Sequence, residues 1–147
     1  MEQEYILFER SDGWLLMAVL MARDGNLTDV VRIGDAINHA IFTINELRGG
    51  FRRLEMAKLI QCEQGHYRAT DSAREILRPI RSKGLDIFSE VGEMCDYLTS
   101  EFRVRSDPDY VPSEETNVSQ AQLEEAVRVY KAWFAEQLEK ARRRTES

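Results

Sequence analysis

The six residues Phe42-Thr43-Ile44-Asn45-Glu46-Leu47 fix the start of a helix more firmly than any other stretch of this chain. Thr43 and Glu46 stand at capping-box spacing. The Thr43 hydroxyl can accept the amide N–H of Glu46, and the Glu46 carboxylate can accept that of Thr43. Phe42 before the cap and Leu47 four positions after it are placed to close a hydrophobic staple over the same turn. A helix therefore begins at Ile44, with a defined entry angle, and runs to about Ala57. Upstream, Leu27, Val30, Val31, Gly34, Ile37 and Ile41 recur at three- and four-residue steps, which predicts a second helix over Leu27–Asn38 with one buried face. The two helices meet at a sharp corner around His39–Phe42.

The flanking segments complete the pattern. Asp12 can cap a helix whose body, Trp14 to Ala22, is apolar nearly all round, so that helix belongs inside a core. Arg23-Asp24-Gly25-Asn26 stops it with turn residues. After the third helix, residues 59–62 and 66–69 read as two short strands around the tight turn Glu63-Gln64-Gly65. Thr70-Asp71 then caps a helix carrying Ala73, Ile76, Leu77 and Ile80, which Pro79 should end or kink. Phe88, Val91, Cys95, Leu98 and Phe102 follow a/d spacing, which predicts one helix over 85–102 that pairs with another. Residues 105–118, with Pro108, Pro112 and clustered acids, read as a surface connector. Ser119-Gln120-Ala121-Gln122 is a second capping box, opening a last helix to about Arg144 with a stripe of Leu123, Val127, Tyr130, Phe134, Leu138 and Ala141.

With 147 residues, the chain has room for one domain, or for one domain and an appended arm. The expected division is a compact unit over 1–80 and a helical extension over 81–147. The net charge of −6 excludes a whole-chain basic footprint for nucleic acid. Charge is unevenly placed, however. Residues 46–81 hold eight basic and five acidic side chains, a balance of +3, between two acidic flanks. An anionic partner should meet that stretch. Cys62 and Cys95 lack metal-type spacing and read as free thiols of a reducing compartment. No basic leader opens the sequence, and the apolar run Trp14–Ala22 is under half the length a membrane span needs. A cytoplasmic protein without membrane partners is expected.

Helix, helix, corner, helix, two-stranded hairpin, helix is the order of a winged helix-turn-helix domain. Phe42-Thr-Ile-Asn-Glu-Leu47, Phe51-Arg-Arg-Leu-Glu-Met-Ala-Lys-Leu-Ile60 and Gly65-His-Tyr-Arg-Ala-Thr-Asp-Ser-Ala-Arg-Glu-Ile-Leu77 resemble the recognition-helix and wing segments of bacterial MarR- and PadR-like regulators. The resemblance covers residues 12–80. It implies a mainly α fold, three helices and a short β-hairpin followed by additional C-terminal helices. It also implies dimerisation through the terminal helices and binding to double-stranded DNA. Lys58 and Ala73 stand where such regulators usually have Gly, the hairpin is short, and Gly49-Gly50 interrupts the third helix.

At about 100° per residue, Ile44, Leu47, Gly50, Phe51, Leu54 and Ala57 share the core side of the third helix. The opposite side carries Asn45, Gly49, Arg52 and Met56, flanked by Arg48 and Arg53. Arginine pairs with guanine edges and asparagine with adenine, so Asn45 and Arg52 are the candidate base readers. Arg48, Arg53 and Arg68 are the candidate phosphate contacts, and Gly49 would let a ligand approach the backbone. The competing reading is a solvated basic face whose arginines pair with Glu46, Glu55 and Glu63. In that case the fold would serve as a protein–protein interaction module without DNA binding. Trp133, with Tyr130 and Phe134, packs on the 85–102 helix or anchors a partner chain. His39 and His66 read as a packed and a solvated histidine. No catalytic constellation, phosphate loop or metal set appears, so neither enzymatic activity nor a cofactor is expected.

Overall fold

The computed structural model describes residues 4–146, which form six α-helices, two short turns of other helical types and one two-stranded sheet. The elements are α1 (Arg10–Met21), α2 (Leu27–Asn38), α3 (Ile44–Met56), β1 (Ile60–Glu63), β2 (His66–Ala69), α4 (Asp71–Arg81), α5 (Ile87–Asp96) and α6 (Gln120–Glu146). The fold is mainly helical, and its antiparallel hairpin follows the third helix.

α1 is the central element, as its apolar sequence requires: Leu15, Leu16, Met17 and Ala18 are fully buried. It starts at Arg10, before Asp12. Glu9 is the cap and Asp12 the third helical residue, whose carboxylate accepts the Glu9 amide at 2.8 Å. α2 ends on His39, whose φ of 53° turns the chain out of the helix. The Thr43–Glu46 box then opens α3 through reciprocal bonds of 3.1 and 2.8 Å. Trp14 locks the corner from below, stacked on Phe42 at 3.8 Å and donating its indole N–H to the Gly34 carbonyl at 2.9 Å. A methyl group at Gly34 would lie 2.3 Å from the Phe42 ring, so only glycine admits this approach.

α3 ends in a Schellman motif. The Leu59 amide reaches the Leu54 carbonyl at 2.9 Å and the Lys58 amide reaches Glu55 at 3.0 Å. Lys58 therefore takes the left-handed conformation, φ 61°, at the position where glycine is common. The strands pair Ile60 with Ala69 through Glu63 with His66, and Gln64 and Gly65 both have positive φ. A two-residue loop of that kind matches the twist of short strands. Tyr67 of β2 stacks on Phe51 of α3 at 3.9 Å, which fixes the hairpin against the helix.

Three expectations need correction. α4 continues through Pro79 to Arg81. The expected helix over 85–102 is shorter: α5 stops at Asp96, and residues Tyr97–Glu101 form a π turn closed by Phe102 N–H on Tyr97. Phe88, in the first turn of α5, is exposed and faces the His39 ring at 5.1 Å. α6 packs on α2, not on α5. Leu123 and Ala126 are buried there, and Tyr130 donates to Asp35 at 2.6 Å. α5 instead crosses α1, where a Cβ at Gly13 would fall 2.6 Å from the Cys95 backbone. Val91, Met94, Leu98, Val118 and Leu123 join the same hydrophobic cluster as α1–α3, so residues on both sides of position 80 share one core. No helix among the described residues is long and apolar enough to cross a membrane.

Candidate nucleic-acid interface

The surface of α3 falls into three strips, and each candidate residue belongs to one of them. Leu47, Gly50, Phe51 and Leu54 fill the core strip. On one flank, Arg53 lies against the N-terminal end of α1. Its Nε donates to Asp12 at 2.6 Å and its Nη2 to the other Asp12 oxygen at 3.0 Å, with Glu9 at 3.5 Å. Asp12 is fully buried, and its carboxylate is compensated by this fork together with the Glu9 amide. The bond to Asp12 holds the Arg53 guanidinium more firmly protonated than usual. Gly49 provides the room for this side chain, since a Cβ there would meet the Arg53 guanidinium at 3.0 Å. Gly49 thus admits an intramolecular neighbour.

The other flank lies under residues 103–119, a strap that runs from the π turn to α6 and holds one 3-10 turn, Glu114–Thr116. Glu55 is its anchor, accepting from the Tyr110 hydroxyl at 2.5 Å, from the Ser113 amide at 3.0 Å and from the Ser113 hydroxyl. Burial pushes the Glu55 carboxyl up, but the Ser113 and Tyr110 donors outweigh it and leave Glu55 below the ordinary range. Burial and the adjacent Glu55 push the Tyr110 hydroxyl and the Cys62 thiol up. Further along, Asn117 Oδ1 accepts from Arg48 at 2.7 Å, and the Glu115 carboxylate faces the Gly65 amide at the hairpin tip at 3.4 Å. The Glu115 carbonyl also accepts the Tyr67 hydroxyl at 2.5 Å.

The third strip points outward between these flanks. Asn45 is exposed at its start, and Gly49, Arg52 and Met56 are half-buried along it. Arg52 Nε is buried without a hydrogen-bond partner, and the guanidinium charge is near enough to pull the Tyr110 hydroxyl toward ionisation. Arg68 is exposed on β2 opposite Gln61. The five candidates therefore divide. Asn45 and Arg68 are open, Arg52 is open in part, Arg48 is held by the strap, and Arg53 is tied into the ion pair. Lys58 adds an exposed cation at the end of α3.

Two participants escaped the sequence reading. The strap lacks periodicity, which hid its role. Asp12 did give a signal, because an acid within a helix that is apolar all round must find a cation. Among the described residues no group of three or more His, Cys, Asp or Glu side chains is placed to hold a metal ion. Comparison with known protein families, characterised proteins and solved structures finds no match.

Proposed function

We propose that this chain is a cytoplasmic DNA-binding transcriptional regulator, similar to the MarR- and PadR-like proteins, in which residues 12–80 form a winged helix-turn-helix and α3 is the recognition helix. Asn45 and Arg52 read base edges, Arg48 and Arg68 contact phosphates, and Arg53 holds α3 in place without touching the nucleic acid. The observation that carries this reading is the outward strip of α3. It begins at exposed Asn45, directly after the left-handed corner at His39, and stays partly open while both flanks are held. The test is fluorescence anisotropy against a duplex selected from a random pool. Arg52→Ala should weaken specific binding by about 1–3 kcal/mol, with the fold unchanged. An unchanged affinity removes Arg52 from the site.

The distal half of α6 favours pairing of two chains. Trp133, Phe134 and Leu138 are 43%, 48% and 57% exposed on a helix whose earlier turns bury the same stripe on α2. A homodimer formed there would read a pseudo-palindrome with half-sites about 10 bp apart. The same exposed stripe supports the second reading, a winged-helix module that docks another protein. Recovery of a stoichiometric heterologous partner, with no DNA retained at low salt, favours that reading over the first.

A further inference from the structure

We infer that the strap over residues 103–119 is an autoinhibitory latch: it closes the flank of α3 that faces the hairpin, and DNA engages only after its middle segment lifts. The inference rests on the DNA-binding reading and specifies how that site is regulated. From Ser106 to Ser119 the strap carries Asp107, Asp109, Glu114 and Glu115 and no basic residue, so it is an acidic, oxygen-rich segment. Its oxygens take donors that a phosphodiester would otherwise take. Asn117 accepts from Arg48 at 2.7 Å, and Glu115 faces the Gly65 amide at 3.4 Å. Tyr110 is bonded to Glu55, which lies one helical turn after Arg52 on α3. A nucleic acid following α3 and the hairpin meets the strap before it meets these groups, and the four carboxylates repel its backbone.

The strap is fixed at its ends and held in the middle by polar bonds. At the start, Tyr5 bridges Arg105 and the Ser106 amide reaches the Glu4 carbonyl at 2.7 Å. At the end, Thr116 and Val118 are buried, so Asn117 and Glu115 keep their bonds to Arg48 and the Gly65 amide. Lifting the middle bares the Arg52 side of α3 and carries Asp107 and Asp109 away from it. Between the two ends, Val111 is 81% exposed and Asp107, Pro108, Asp109 and Pro112 are all exposed, so no apolar anchor holds this stretch down. What holds it is Glu55, through Tyr110 and Ser113. Bonds of this kind each shift an equilibrium by roughly fivefold, a size that a competing ligand can overcome. The apparent affinity for DNA then scales with the fraction of molecules whose strap is lifted.

The double variant Tyr110→Phe/Ser113→Ala removes both hydroxyl donors without changing any charge, so an altered DNA affinity cannot come from net charge. Full-length wild type and variant are titrated with a fluorescein-labelled random-sequence duplex pool at low salt. Amide hydrogen exchange at Ser113 reports strap opening independently, and circular dichroism reports the fold. The latch predicts up to about 25-fold tighter binding by the variant, with faster exchange at Ser113 and unchanged helicity. Equal affinities with faster exchange overturn the latch and leave the DNA reading standing. Absence of binding by both proteins overturns the DNA reading and the latch with it.

Discussion

α3 and the distal half of α6 are both amphipathic and both rich in arginine, yet the molecule treats them in opposite ways. α3 is gripped on each side: Arg53 by Asp12 at 2.6 Å, and Glu55 by Tyr110 at 2.5 Å and by Ser113. The last turns of α6 are supported mainly by their own ion pairs, such as Glu136–Lys140 at 3.4 Å and Glu139–Arg142 at 2.8 Å; Arg32 of α2 lies over the half-exposed Trp133 ring at 5.3 Å, and Phe134 and Leu138 are open. Pairs along one exposed helix face contribute only a few tenths of a kcal/mol each. The contrast separates two duties. A helix held by polar networks keeps one orientation, as a reading surface requires. A bare apolar stripe is suited to another chain.

Substitutions at the gripped residues of α3, Arg53 and Glu55, should therefore disturb folding, and those on distal α6 only association. The largest effect is expected at Arg53. Arg53→Ala leaves the buried Asp12 carboxylate without its cation and should lower stability by about 3 kcal/mol in urea unfolding, because removing one partner of a buried pair strands the other. A loss below about 0.5 kcal/mol, the usual range for surface positions, would mean that Arg53 is free for other work.

An intermediate effect is expected at Glu55. Its folded carboxyl titrates below the ordinary glutamate value of about 4.3, so its bonds contribute fully above that pH and are lost as pH falls through the lower folded value. Glu55→Gln should cost about 1 kcal/mol at neutral pH, and the gap to wild type should close in acid. A gap that is constant across pH would show that charge plays no part in anchoring the strap.

The smallest effect on folding is expected on α6. The double variant Trp133→Glu/Leu138→Glu should stay within about 0.5 kcal/mol of wild type in stability. The proposed homodimer predicts that wild type sediments as a dimer and the variant as a monomer. Two dimers would place the contact elsewhere, and a monomeric wild type would overturn pairing through α6.

The elements readable from the sequence are those written in local chemistry. The Thr43–Glu46 and Ser119–Gln122 boxes form as spaced, and the buried faces of α2 and α3 follow their periodicity. What stayed hidden depends on contacts distant in sequence. The Asp12–Arg53 pair spans 41 residues and the Glu55–Ser113 contact 58, and neither leaves a repeating pattern. Leu98 fitted a heptad seam and is buried, while Phe88 fitted it and is exposed; the apolar residues that α5 buries are Val91, Met94 and Cys95, where it crosses α1. The acids of 107–115 read as a solvated connector since composition alone does not say which surface a loop lies against.

The central claim is that the outward strip of α3 and the hairpin meet a DNA backbone. The most direct test is the salt dependence of binding by the full-length protein and by its Arg68→Ala variant. Contact with the backbone predicts saturable binding whose logarithm falls linearly with the logarithm of salt concentration, with a slope smaller by about 1 in the variant. Identical slopes, or no binding to any duplex by wild type or by Tyr110→Phe/Ser113→Ala at low salt, would contradict it.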